Sequence, residues 1–422
     1  MANDSFAGLE AALRHTIYSV YRFSATTRLL RFFFMALAPV LLFSLLLHAF
    51  IGWRLAPGLA AFSAPLGAAL WTGLLLSALL LPMGLLARRV ARPPLSGVLT
   101  WLGLLCMGAF SSLLVLTVLR EVALLAAYEI DWLWPAAIAL PALRADSAVA
   151  MPLLGLLVTG WGFWNARRTA AVVRVDVPIS NLPDALQGFS MAQISDIHIG
   201  ATIKSNYLKR IVTRVNSLGA DMVAITGDLV DGSVHELRDQ VAPLTGLTST
   251  HGTFFVTGNH EYYAGAQGWI EVLRGLGVRV LMNEHVLIYH GTESQDTEQA
   301  MLVVAGVTDF SAHHFDESHR SDPHGAIADA PPHALFKLLL AHQPRSATAA
   351  AQAGFDLQLS GHTHGGQFWP WNHFVKLQQP FTAGLHKLQS LWVYTSRGTG
   401  YWGPPKRFGA PSEITYLRLV RA

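Results

Sequence analysis

The stretch Phe189–Gly200, FSMAQISDIHIG, decides how the chain is read. FSMAQIS is short, mostly apolar or small, and suited to a buried strand; it breaks off into Asp196 and His198, two side chains with metal-seeking atoms, just before a glycine. Alone, a DxH pair says little, because Asp, Asn, Gly and His crowd the turns after strands in any α/β domain. Working outward, the same arrangement recurs four times. DMVAIT runs into Asp228 of GDLVDG, TFFVT into Asn259 of GNHE, FKLLLA into His342 of LLLAHQP, and DLQLS into His362 and His364 of SGHTHGG. Ligand sites in layered α/β domains form where strand ends converge, so five such motifs can meet in space.

The residue types point to one chemistry. Two divalent ions about 3.5–4 Å apart need a shared carboxylate to screen their repulsion. Asp228 is the natural bridge. Asp196, His198 and His364 complete one site, and Asn259, His342 and His362 the other, a mixed nitrogen and oxygen shell suited to Mn, Fe, Zn or Ni rather than Ca. His260, next to Asn259, can supply the proton that a departing alkoxide needs. Backbone amides around Gly258 and Gly365 can stabilise developing oxygen charge. Arg397, in SRGTG after the expected strand LWVYT, either adds a fixed positive charge to a substrate site or is an ordinary turn arginine.

These motifs resemble the signature blocks of the calcineurin-like metallophosphoesterases, over about residues 188 to 420. The likeness is closest to the bacterial membrane-anchored, YkuE-like branch, through GHTHGGQ and the tail SRGTGYWGPPKRFGAPSEITYLRL. The resemblance implies a four-layer sandwich, two sheets between helices, with the ligand roles given above. Asp231 and Glu261 read as hydrogen-bonding support for the loops. Some relatives resemble hydrolases of UDP-2,3-diacylglucosamine, an intermediate of lipid A assembly.

Composition accounts for the other half of the chain. With 52% hydrophobic and 14% charged residues among 422, it is too apolar to be wholly soluble. Four windows are long enough to span a bilayer: roughly Phe32 to Trp53, Pro65 to Ala87, Ser96 to Leu119 and Ser147 to Trp164. Val122 to Leu143 is apolar too, but Glu129, Asp131, Pro135 and Pro141 interrupt it. It reads as an interfacial or re-entrant segment girdled by Trp132 and Trp134, with a fifth span as the alternative. Arg14, Arg22, Arg28 and Arg31, then Arg88, Arg89 and Arg92, then Arg167 and Arg168 fall on one side, against Arg54, Arg120 and Arg144 on the other. The bias puts both termini, and with them the catalytic domain, in the cytoplasm at the inner membrane. The expected organisation is therefore a transmembrane helical bundle over 1–170 and an α/β (α+β) metallophosphoesterase sandwich over 171–422.

Charge divides along the same line. Only 12 of the 30 Lys and Arg precede residue 171, but only 6 of the 27 Asp and Glu do. The basic excess belongs to the membrane half, and a slightly acidic catalytic half argues against nucleic acid as partner. Sixteen of the 18 histidines follow residue 170, more than the chemistry needs; His313 and His314 are the ones that could border a pocket. They sit in Asp309–Pro332, a polar insertion without periodicity that reads either as a lid or as an idle surface loop. Cys106, the only cysteine, excludes a disulfide within the chain. The favoured function is a two-metal hydrolase, Mn first among its metals, acting on a phosphodiester or pyrophosphate of a lipid-linked substrate at the bilayer. A phosphoprotein phosphatase and a non-catalytic membrane sensor or scaffold are the alternatives.

Overall fold

The computed structural model describes residues 38–291, 300–332 and 334–422. Arg14, Arg22, Arg28 and Arg31, the start of the first window at Phe32, the side chains of Arg88 and Arg89, and His333 lie outside the described residues.

Four apolar helices come first: α1 (Ala38–Phe62), α2 (Ala64–Val90), α3 (Leu95–Leu133) and α4 (Leu140–Arg167). Less than a third of each one's apolar window is buried inside the protein. Leu42, Phe43, Leu76, Leu125, Leu156 and Trp161 instead stand exposed. Leaving such surface in water costs about 25 cal/mol per Å², so the helices need lipid around them and the protein is a membrane protein. Two of the polar side chains buried among the helices are well partnered. His48 shares hydrogen bonds with the Ser44 carbonyl (2.7 Å) and Ser77 Oγ (3.0 Å), while Arg120 donates to Ser147 Oγ and to the Arg144 carbonyl, both at 2.8 Å. Gly84 and Gly103 let α2 and α3 touch backbone to backbone, since a Cβ on either would overlap the other helix.

Two window expectations need correction. The first helix runs on to Phe62 rather than stopping at Trp53. Val122 to Leu143 is neither re-entrant nor a fifth span: it is the end of α3, a turn, and the start of α4. At 39 residues, α3 is about 58 Å long, nearly twice the hydrocarbon thickness, so Glu129 and Asp131 can ride beyond the lipid core. Pro135 lies past its end, and Pro141 is the second residue of α4, where no helical N–H is missed.

The chain falls into two compact units, the second being Leu156–Ala422. Within it, one sheet has the order β1 (Ala171–Ile179), β12 (Glu413–Arg421), β2 (Ser190–Ile194), β3 (Met222–Ile225), β4 (Thr253–Phe255), β5 (Arg279–Val280). The other has the order β10 (Gly384–Leu388), β11 (Leu391–Thr395), β9 (Leu357–Ser360), β8 (Phe336–Leu340), β7 (Ala300–Gly306), β6 (Glu284–His290). The central strands of both sheets run parallel, β2 through β5 in one and β7, β8, β9 and β11 in the other.

Side-chain alternation sets the layers. Met222, Ala224 and Phe254 face Leu338, Leu340 and Leu357 in a core between the sheets. Val223, Ile225 and Phe255 point the other way, under α5 (Ser205–Asn216), α6 (Val234–Val241) and α8 (Ala266–Gly275), which contribute Leu208, Ile211, Leu237 and Trp269. Leu339 and Val303 do the same on the second sheet beneath Ala347 and Ala350 of α9 (Ala347–Gln352). Helix, sheet, sheet and helix make the expected four layers. Parallel neighbours put the ends of β2, β3, β4, β8 and β9 along one edge, where the motifs begin.

Candidate metal centre

Each motif turns sharply as it leaves its strand. Asp196 (φ 55°), His198 (φ 56°), Asp228 (φ 51°), His362 (φ 69°) and His364 (φ 51°) all occupy the left-handed region. That region is costly for residues with a Cβ, and its concentration at five of the seven expected ligands marks strain held at a working site. The glycines beside them are space-makers: a Cβ on Gly361 would overlap Ser195 Oγ and Asp196 Oδ2, and one on Gly258 would overlap the Asp228 carboxylate.

Two groups result. Asp196, His198 and His364 present ligand atoms to one another, with His198 Nε2 and His364 Nε2 2.9 Å apart and Asp196 Oδ1 3.6 Å from His364 Nε2. Asp228, His342 and His362 form the second, with His342 Nε2 3.2 Å from both Asp228 Oδ2 and His362 Nδ1. Asp228 Oδ2 is also 3.9 Å from His198 Nε2, so this carboxylate faces both groups. Asn259 opens α7 (Asn259–Ala264), and its Oδ1 is buried without a hydrogen-bond partner. An orphaned buried acceptor is expensive unless something electropositive meets it. These donors fit two divalent metals.

The electrostatics divide the ligands: burial raises the Asp196 carboxyl, and against burial the Asp228 carboxylate lifts His342 well above its usual range, while His362, His364 and Asp228 are already set for metal. Burial and the neighbouring His342 push His362 down to about 3, and burial with the Arg407 guanidinium pushes His364 well below the usual range; both rings are neutral, as metal ligands must be. Burial works against ionising Asp228, yet His342, His260 and His198 hold its carboxyl well below the carboxylate range. Around this core, Glu261 accepts the backbone N–H groups of Gly258 (2.7 Å), Asp228 (3.0 Å) and Leu229 (2.8 Å), fixing the bridge loop. Asp231 accepts from Nδ1 of His198 at 2.9 Å and of His260 at 2.6 Å, so each ring turns Nε2 inward. His260 Nε2 lies 3.9 Å from Asp228 Oδ2. Burial opposes its charge, but Asp231 and Asp228 carry it up to about 9.

The structure also brings in what spacing does not single out. Arg407, fully buried, sets its guanidinium 2.9 Å from His364 Nδ1 and donates to the His364, Arg397 and Gly400 carbonyls. Its own backbone N–H reaches the Gly162 carbonyl at the end of α4 at 2.8 Å. The one sequence signal was a charged pair, Lys406–Arg407, inside the proline- and glycine-rich run YWGPPKRFG. Arg397, by contrast, pairs with buried Glu413 at 2.7 Å. A cavity of about 260 Å³ opens beside Asn259 and His362, walled by Tyr263, Arg345 and, from the insertion, Phe310, His313 and His314. The insertion is pinned there by Asp309, whose carboxylate accepts Gln343 Nε2 at 3.0 Å. Its beginning is thus part of the site's wall.

Comparison with known proteins places this geometry. The calcineurin-like phosphoesterase family model matches residues 189–366, and an uncharacterized metallophosphoesterase of Helicobacter pylori is 36% identical over 273 residues, which cover 63% of this chain and 69% of that protein. The chain belongs to the calcineurin-like phosphoesterase family. A transmembrane protein with metallophosphoesterase domain from Danio rerio is 36% identical over 287 residues, 66% of this chain and 64% of that protein, so the chain spans just under two thirds of that relative's length. The uncharacterized metallophosphoesterase YkuE of Bacillus subtilis is 26% identical over 276 residues, covering 63% of this chain and 92% of that one. The Danio rerio relative's name likewise couples a transmembrane protein with a metallophosphoesterase domain.

Proposed function

We propose that this phosphoesterase hydrolyses a phosphodiester or pyrophosphate bond of a lipid-linked substrate such as UDP-2,3-diacylglucosamine, with residues 1–170 as anchor and 171–422 as catalyst on the cytoplasmic face. Asp196, His198 and His364 hold one metal, Asn259, His342 and His362 the other, and Asp228 both. Manganese is the first candidate, with iron, zinc or nickel as the alternatives that a mixed nitrogen and oxygen shell admits. When bound, the metals supply Lewis acidity toward the phosphoryl oxygens and activation of water. The chain's own residues do the rest. Glu261 keeps the Asp228 loop rigid, and Asp231 holds His260 so that a proton on Nε2 points into the site, ready for the oxygen that leaves. Amides near Gly258 and Gly365 can meet the remaining oxygen charge.

The observation that carries the hydrolase reading is the pair of ligand groups facing one carboxylate beside the unpartnered Asn259 oxygen. For the lipid, the support is that α4 runs into the catalytic unit with three residues between Arg167 and β1. A tether that short raises the local concentration of anything dissolved in the bilayer. Detergent-purified protein with Mn should turn over UDP-2,3-diacylglucosamine or a phospholipid faster than a generic aryl phosphodiester. Turnover of the aryl ester with no lipid hydrolysed would leave the hydrolase and remove the lipid.

A further inference from the structure

A second charged site lies away from the metals. α5 buries Leu208, Ile211, Val212 and Val215 in the core, which leaves Lys209, Arg210, Thr213, Arg214 and Ser217 on its outer face, exposed. Positions 209 and 213, and 210 and 214, are neighbours one turn apart. They line a shallow groove of about 680 Å³ closed on its other side by Thr169–Ala171, and no acidic side chain is in the lining.

The depth of this groove relative to a bilayer is fixed by its own contacts. Arg210 donates from Nε to Thr169 Oγ1 and from Nη2 to the Arg167 carbonyl, both at 3.2 Å. Those residues immediately follow Trp161 and Trp164, which are exposed on α4 and in contact with each other, ring centroids 5.2 Å apart. Arg168 lies over the Trp164 ring at 5.1 Å. Exposed tryptophans followed by arginines at the end of a span sit at the headgroup layer. The groove is therefore at the height of lipid phosphates, with three cations around it; its hydroxyls are engaged within the protein, Thr213 and Ser217 donating to the Lys209 and Arg214 carbonyls and Thr169 accepting from Arg210. Arg210 is spent on the wall; Lys209 and Arg214 carry the ligand-facing charge.

We propose that this groove binds the phosphate of an anionic phospholipid headgroup, a site separate from the metal centre. Its chemistry is that of a phosphate group, and the titration separates a lipid phosphate from a free one. The test is thermal unfolding of the full chain in detergent, titrated with phosphatidylglycerol, with phosphatidylcholine, and with inorganic phosphate. Phosphatidylglycerol should raise the midpoint saturably and phosphatidylcholine should not. In the K209A/R214A double variant, half-saturation should move up about thirtyfold, for two juxtamembrane cations at about 1 kcal/mol each; K209R/R214K should respond like the wild type. A phosphate response as strong as the lipid's, and lost in K209A/R214A, keeps the site but overturns the lipid as its source. Equal shifts from the two lipids, or an unchanged response in K209A/R214A, would overturn the site.

Discussion

His260 and Asp231 separate the two tasks of the centre. His260 touches neither ligand group as a ligand, so His260→Gln should leave metal content unchanged while lowering turnover of an alkyl-leaving substrate by about 10²–10⁴. The loss should be far smaller with a nitrophenyl leaving group, which needs no proton; equal losses on both would remove the proton-donor role. Asp231 holds both His198 and His260. Asp231→Asn should therefore weaken metal binding and activity together, by about 10–100-fold each, read by metal titration and by rate. At this scale the positions of the seven side chains proposed as ligands were legible, because each stands at a strand end among glycines. Arg407 was not: it lies 43 residues after His364 in the chain, and no local pattern links a buried guanidinium to a ring that distant.

Strand ends and glycines turn the motifs into a site. In Gly361→Ala, the new methyl meets Ser195 Oγ and Asp196 Oδ2, so Asp196 must shift; metal content should fall by about one ion per chain, with the far-UV spectrum unchanged. A variant that kept its full metal complement would show that the close approach is unimportant. Leu338 is fully buried between the sheets, and Leu338→Ala should destabilise the domain by about 2–5 kcal/mol in denaturant titration. The strands that carry motifs were legible because they are short apolar runs that stop at turn residues. β10 was not, because GLHKL is a half-exposed edge strand with little apolar signal. The parallel pairing of β1 with β12 joins Ala171 to Glu413, a contact no local pattern encodes. Val122 to Leu143 misled for a different reason: its charges and prolines look like interruptions until the helix is long enough to carry them past the lipid.

At the scale of the whole molecule, four lipid-facing helices lead without a linker domain into a metallophosphoesterase sandwich, and Gly162 of the last helix accepts the backbone N–H of Arg407. Which side of the membrane this domain faces follows, in the proposal, from the arginine bias. A cysteine introduced near Gly291 should be protected from an impermeant thiol reagent in intact cells and labelled after permeabilisation; labelling without permeabilisation would place the domain outside. The central claim, a two-metal hydrolase bridged by Asp228, is tested most directly by measuring metal per chain and phosphodiesterase activity together in the wild type and in Asp228→Asn, both purified as full chains with Mn. The account predicts about two ions per wild-type chain, and in Asp228→Asn at most one, with hydrolysis lost and membrane insertion intact; two ions retained with undiminished hydrolysis in Asp228→Asn would contradict it.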